Sequence, residues 1–374
     1  MRVLHLCSDY SGTHLYRSSF LCLTGYCAFQ TVYVPVRNVD LLDKYPIKDN
    51  SKIKIIYSLI LSKWHRLFFK KKISAVYKDL ENKIGFSDVD LVHAHFLFSD
   101  GAIASEIKKK HGLGYVVTVR NTDINIFFKY LFHLRSTGLS ILKEADAIIV
   151  LNPKYRTTLL TFVPGKLKEE IKKKINIIPN GLDRLWIENT FSRASKSKEG
   201  TIKIIFVGEF SKNKNIENSI RAIERLRNTG LDIEFILVGN YGDNCKRIQF
   251  LQEQRKSYIR IIDRISDKEI LLKWYRYADI FLMPSFLESF GIVYLEAMSQ
   301  GCPVIFSKNQ GIDGYFEEGY IGYSVDPVNV TSICEAIIKT IKNYSDLSKN
   351  CVNSINQFSW ERVAAETSKV YNSI

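Results

Sequence analysis

The sequence has no run of apolar residues approaching the roughly 18 that cross a bilayer. The apolar part of its opening segment, MRVLHLCSDYSG, is too short for a secretory leader. A cytoplasmic protein is expected. The seven cysteines (Cys7, Cys22, Cys27, Cys245, Cys302, Cys334, Cys351) form no CxxC pair and no zinc-type spacing. They read as reduced thiols, several of them in the core, and not as a disulfide framework or metal centre. Neither GxGxxG nor GxxxxGK[ST] occurs anywhere. The signatures of nicotinamide or flavin enzymes and of P-loop nucleotidases are therefore missing.

What is present is globular: 374 residues, 46% hydrophobic and 25% charged, a length that favours two domains. The net charge of +14 calls for an anionic partner: nucleic acid, a nucleotide or a membrane surface. A nucleic-acid binder needs aromatics for stacking beside basic residues on one surface, and that partner is not expected here.

Strand-like runs alternate with helical patterns along both halves. RVLHLC, QTVYVPV, VDLVHAHF, GYVVTVR, ADAIIVL and INIIPNG occupy the first half; IKIIFVG, LDIEFILVG, IRIID, ADIFLMP and CPVIFS the second. Short apolar runs joined by helices such as 99–111 are the pattern of doubly wound parallel sheets. The Ser/Lys/Arg tract FSRASKSKEG (191–200) reads as the boundary between two such domains. Ligands of open parallel sheets bind beyond the carboxyl ends of the strands, so the chemistry should lie in the loops that follow them.

One such loop lies in PSFLESFGIVYLEAMSQGCPVI (284–305). Pro284 ends a strand, and a helix follows Gly291 and stops near Gly301. Glycine lets the backbone approach a ligand, and the free N–H groups at a helix start favour an anion. Glu288 precedes that helix and Glu296 lies more than a turn inside it. Two sugars flanking a diphosphate would engage both acids. The alternative is a pair of solvated or salt-bridged surface charges. A glycoside hydrolase would need two carboxylates facing one bond, and these two flank a helix start instead.

These residues, with HAHFLFSDG (93–101), IPNGLD (178–183), FVGEFSKNKN (206–215) and FSWERVAAETSKVY (358–371), resemble the retaining glycosyltransferases of family 4. The resemblance implies an α/β GT-B fold, two Rossmann-like domains facing a cleft. Residues 1–185 would form the acceptor-side domain and 201–357 the donor-binding domain, with 358–374 a helix packing back on the first. It implies transfer of a sugar from a nucleotide diphosphate sugar to an acceptor hydroxyl with retention, in polysaccharide or glycolipid assembly. The acceptor would be a saccharide or lipid-linked saccharide, and neither cofactor nor metal is expected. A nucleotide-sugar sensor without catalysis is the alternative.

Carried over by resemblance, Glu288 takes the donor sugar and Glu296 the ribose. Phe290, Gly291 and Ile292 supply backbone contacts, and Lys214, with Lys212, neutralises the diphosphate. The base would lie near IIDRIS (261–266). On the acceptor side stand Gly12, His95 and Asn121, with Arg120 as a further catalytic candidate. Two departures stand out: Glu209 occupies a position where relatives carry arginine, and Arg120–Asn121 a turn where many carry histidine. Arg120 cannot act as a base because it stays protonated. It either meets an anionic group or pairs with Asp123 to brace the loop. His93 and His95 end a strand and would line the cleft; zinc would require further ligands.

Finally, KWHRLFFKKK (63–72) mixes aromatic and basic residues, as a helix in the headgroup layer of an anionic membrane would. KLKEEIKKK (166–174) is diluted by its acids. The alternative puts Trp64 and the phenylalanines in the core.

Overall fold

The computed structural model describes residues 1–48, 50–192 and 200–374. The chain forms two compact units, Met1–Gly181 with Trp360–Ile374, and Leu182–Ser359.

The first unit is built on a seven-stranded sheet of β1 (Arg2–Leu6), β2 (Phe29–Val36), β3 (Ile53–Leu59), β4 (Leu91–Ala94), β5 (Tyr115–Val119), β6 (Ala147–Val150) and β7 (Ile175–Ile177). Their order is β3-β2-β1-β4-β5-β6-β7, parallel throughout. The second unit repeats the scheme with β8 (Ile202–Val207), β9 (Ile233–Gly239), β10 (Ile259–Asp263), β11 (Ile280–Met283), β12 (Val304–Ser307) and β13 (Gly322–Val325). Here the order is β10-β9-β8-β11-β12-β13, again parallel. Helices cover both faces of the central strands, so β4, β5, β6, β11 and β12 bury every residue. Their sequences are accordingly continuous apolar runs.

Two strands escaped that pattern. β3 and β13 are outermost in their sheets, and polar residues dilute their apolar runs: exposed Lys54, half-buried Ser324, and buried Ser58, whose hydroxyl donates to Asp79.

The strand order reverses between β1 and β4 in the first unit and between β8 and β11 in the second. Crevices open at such reversals. The loops there carry Gly12 and His95 in one unit, Lys214 and Glu288 in the other.

The chain enters the second unit at Leu182, before the Ser/Lys tract, of which 193–199 lie outside the described residues. The helix Arg184–Glu188, whose start was assigned to the first domain, belongs wholly to the second. Leu182 N–H donates to the Phe358 carbonyl at 2.7 Å, and buried Trp186 packs edge-on against Tyr275. The chain returns at Trp360. The helix Trp360–Asn372 shares a core with the helix Leu15–Leu23 through Trp360, Val363, Ala364 and Tyr371. Gly181 makes room for this: a Cβ there would stand 2.2 Å from the Trp360 ring.

KWHRLFFKKK is not one amphipathic helix. Lys63–Arg66 form a 3-10 turn, and the helix begins at Phe69 and runs to Lys83. Lys72 turns inward, its ammonium donating to Ser99 Oγ at 2.8 Å, and burial lowers its pKa.

Candidate active site

In the second unit the loop after β8 and the loop after β11 are laced together. Asn213 exchanges two hydrogen bonds with Leu287, donating from Nδ2 to its carbonyl at 2.9 Å and accepting its N–H at 3.0 Å. Asn215, in left-handed conformation (φ 56°), donates to the carbonyls of Pro284 and Pro327. This lacing places Lys214 Nζ 2.6 Å from Glu288 Oε2, both side chains largely shielded from solvent. The other carboxylate oxygen accepts the Ser289 N–H at 3.1 Å. Glu288 is thus neither a solvated charge nor an unpaired buried one.

Gly291 opens the helix Ile292–Ser299 with φ 75°, where a Cβ would meet the Tyr294 ring at 2.4 Å. Only glycine fits a left-handed residue so closely packed. The first N–H groups of that helix have no intrahelical acceptor, and the macrodipole adds partial positive charge beside Glu288. Phe290 is buried against Phe358 and Tyr315, so its contribution to a ligand is through its backbone. Glu296 lies partly buried on the same helix and accepts from Tyr275 Oη at 3.1 Å. Burial pushes its carboxyl up to about 7, against that hydrogen bond and the pull of Lys268; Asp183 pushes it further up. Lys268 is ion-paired with Asp183.

The Glu209 departure is accommodated at the surface. Glu209 is exposed, and its Cγ lies beside Gly242, 2.7 Å from where a Cβ would be. Lys212 is also exposed, its N–H donating to Asp243. Beside the 261–266 turn, Asp263 accepts from Asn240 Nδ2 at 2.7 Å and Arg264 lies over the half-exposed Tyr241 ring.

In the first unit Arg120 is not paired with Asp123 through its guanidinium. The Asp123 carboxylate instead accepts the main-chain N–H groups of Arg120, Leu97 and Phe98 at 2.8 to 3.3 Å, and burial raises it to about 6. The guanidinium donates to Asn180 Oδ1 at 3.0 Å and the His95 carbonyl at 3.4 Å, over the Tyr16 ring. Asn121 accepts from Asn125. Gly12 ends a 3-10 turn, Tyr10–Gly12, where a Cβ would run into the Asp9 carboxylate at 2.3 Å. Burial raises the Asp9 pKa, and Arg120 opposes it.

His95 is turned into the core rather than lining an open surface. The β1–β4 register sets His5 beside His93, and His5, His93 and His95 have ligand atoms within 4.8 Å of one another. Tyr371 Oη and Thr118 Oγ1 contact the two nitrogens of His93 at 2.6 and 2.9 Å, and His5 Nδ1 lies 3.1 Å from His95 Nε2. Burial holds His93 and His95 well below the usual range, and the charge of Arg120 lowers them further. His5 is pushed down to about 3 by burial, with the neighbouring Gln30 acting against it. The trio is a neutral hydrogen-bonded cluster, and the nearby guanidinium disfavours a cation.

Two family models tile this architecture. "Glycosyltransferase Family 4" matches residues 32–184 and "Glycosyl transferases group 1" residues 188–358. The chain belongs to the family 4 glycosyltransferases. An uncharacterised glycosyltransferase of Methanocaldococcus jannaschii is 26% identical over 308 residues, covering 80% of this chain and 79% of that protein. Sucrose-phosphate synthase from Thermosynechococcus elongatus superposes with a TM-score of 0.75 at 19% identity, covering 100% and 98% of the two chains. Anabaena HepE in complex with UDP gives 0.74 at 17%, each chain fully covered. The fold is GT-B.

Sequence reasoning missed several residues that this glycosyltransferase brings to the two loop clusters. Asn213 and Asn215, which tie the two loops together, are among them. Asp9 and Asp100 join Arg120 around Cys7. Asp100 accepts the Ser8 N–H at 3.2 Å and is pushed up to about 7 by burial. Nothing in the local sequence marks Asp100 as buried.

Proposed function

We propose that the chain transfers a sugar, with retention at the anomeric carbon, from a nucleotide diphosphate sugar bound by the second unit to an acceptor hydroxyl bound by the first. The observation that carries this reading is the shielded Lys214–Glu288 pair at the start of the helix Ile292–Ser299. Glu288 accepts hydroxyls of the transferred sugar. Lys214 and the N–H groups of Gly291 and Ile292 balance the charge that builds on the departing diphosphate, with Lys212 entering from solvent. Each such donor is worth about 3 to 4 kcal/mol when removed, so the leaving-group step needs no metal. Glu296 accepts from the ribose, and Tyr241 offers a face to the base. UDP in the HepE structure supports a uridine nucleotide as the first choice.

On the acceptor side, Arg120 holds an anionic group of the acceptor, within the loops that carry Gly12 and Asn121. A lipid-linked saccharide at the cytoplasmic face of the membrane fits this reading, in polysaccharide or glycolipid assembly. The comparisons do not favour a sensor without catalysis, since the relatives are named glycosyltransferases.

The test is incubation of the pure protein with a panel of nucleotide sugars, reading thermal shift, nucleotide release and the anomeric configuration of the product by NMR. A shift with one donor, release of its nucleotide and an unchanged anomeric configuration are expected. No shift with any donor would overturn the assignment, and an inverted product would overturn retention.

A further inference from the structure

The first unit displays large apolar side chains on two stretches far apart in sequence. Trp64 and Leu67 are 68% and 73% exposed, and Tyr130 and Phe132 are 62% and 65% exposed. A groove of about 840 Å³ brings the two stretches together, for its wall takes Leu67, Phe68 and Phe69 from the first and His133 and Leu134 from the second. Ile73, Ala102, Leu134 and Ile141, all buried, add apolar lining. Five exposed lysines (Lys70, Lys71, Lys78, Lys109, Lys110) line it against two acids, Glu81 and Glu106. Lys71 stands over the Phe68 ring at 5.0 Å and Lys110 over the Tyr77 ring at 3.9 Å, so these charges sit directly on the aromatic surface.

An apolar groove with a cationic border and exposed Trp and Tyr beside it matches one environment above others. Aromatic rings with a polar edge settle at the headgroup level, lysine stems lie along apolar surface with their ammonium groups at the phosphates, and the acyl region takes what is purely apolar. The volume is that of a small-ligand pocket. The other basic stretch offers no such surface: in the helix Gly165–Lys174, Lys172 and Lys174 are paired with Glu169 and Glu170.

We propose that this face docks on an anionic bilayer and that the groove takes an acyl chain of one anionic phospholipid, whose phosphate is held by Lys70, Lys71 and Lys110. The lipid is a site of attachment, separate from the acceptor. This deepens the membrane part of the proposed function and rests on it.

The test uses the full chain and no sugar. Co-sedimentation at physiological salt compares vesicles of phosphatidylcholine alone with vesicles of phosphatidylcholine and phosphatidylglycerol. Native mass spectrometry with a short-chain, monomeric phosphatidylglycerol counts lipids held per chain. The parent is expected to bind only the anionic vesicles and to retain one lipid. Combined Lys70→Glu, Lys71→Glu and Lys110→Glu should lower vesicle partitioning at least about tenfold. Trp64→Ala with Phe132→Ala should lower it as well, although the folded core is untouched. Ser74→Trp with Thr137→Trp, which fills the groove from its wall, should abolish retention of the single lipid.

Equal binding to both vesicle types, no binding to either, or charge-reversed protein that binds like the parent would each overturn the proposal. So would lipid retention that survives the filled groove, or capture of an acidic peptide in preference to the lipid. Thermal shift by the donor serves as the separate readout. If lipid binds and no donor does, the transferase reading alone fails; if donor binds and no lipid does, this inference alone fails.

Discussion

Lys214 and Glu288 form an ion pair of 2.6 Å between loops that follow two neighbouring parallel strands. Each had been assigned a separate duty, one toward diphosphate and one toward sugar. Their pairing makes them a unit: the two side chains compensate each other's polarity in a shielded place, and each fixes where the other stands. Breaking one partner of a shielded pair leaves the other uncompensated, which costs more than the pair is worth.

Lys214→Ala should therefore lower kcat by about a hundred- to a thousandfold, the range for loss of one preorganised donor. Glu288→Ala should be at least as damaging to transfer while the fold stays intact. The double variant should be little worse than the poorer single one, because residues acting as a unit are not additive. Steady-state kinetics of the three variants test this. Additive losses would show that the two side chains act independently.

Glu296 sets a pH dependence of donor binding. Its carboxyl is raised to about 7 by burial, so it is only partly ionised at neutral pH. Hydroxyl donors favour the ionised form and lower the pKa, so donor binding should release a proton and weaken as pH falls through about 7. Calorimetry in buffers of different ionisation enthalpy measures that proton. Glu296→Gln should lose both the proton release and the pH slope, with weaker nucleotide affinity; an unchanged slope would remove Glu296 from the donor site.

Arg120→Ala should raise KM for an anionic acceptor about ten- to a hundredfold, the worth of a hydrogen bond to a charged group. Arg120→Lys should not restore it, since an ammonium cannot reproduce the planar fork that reaches Asn180 and the His95 carbonyl together. Acceptor kinetics indifferent to both changes, with only thermal stability altered, would leave Arg120 a purely structural residue.

Asp100 should make the first unit less stable as pH rises. In the unfolded chain its carboxyl ionises near pH 4, whereas burial raises it to about 7 in the fold. Between those values the folded state holds the extra proton, so stability falls with rising pH across that window and levels off above it. Asp100→Asn keeps an acceptor for the Ser8 N–H. Its Tm should match the parent at pH 4 and exceed it at pH 8. A constant difference across the range would contradict the buried, proton-holding carboxyl.

The central strands were legible in the sequence because a strand covered on both faces must be apolar at nearly every position. β3 and β13 were not, because polar residues interrupt their apolar runs: Lys54 is exposed at the sheet edge, Ser324 is half-buried, and buried Ser58 is satisfied by the Asp79 carboxylate. The helix Ile292–Ser299 and the glycine that opens it were likewise evident from local chemistry. These are decisions made within a few residues of chain. The pairing of Lys214 with Glu288, the gathering of His5, His93 and His95, and the burial of Asp100 depend on which strands lie side by side, a matter of parallel register across 74 to 92 residues of sequence. Exposure was equally a tertiary decision. The sequence by itself determined that KWHRLFFKKK would mix aromatic and basic residues; only packing decided that Trp64 and Leu67 face outward while Lys72 turns in toward Ser99, because exposure depends on which distant elements the chain brings against each side chain.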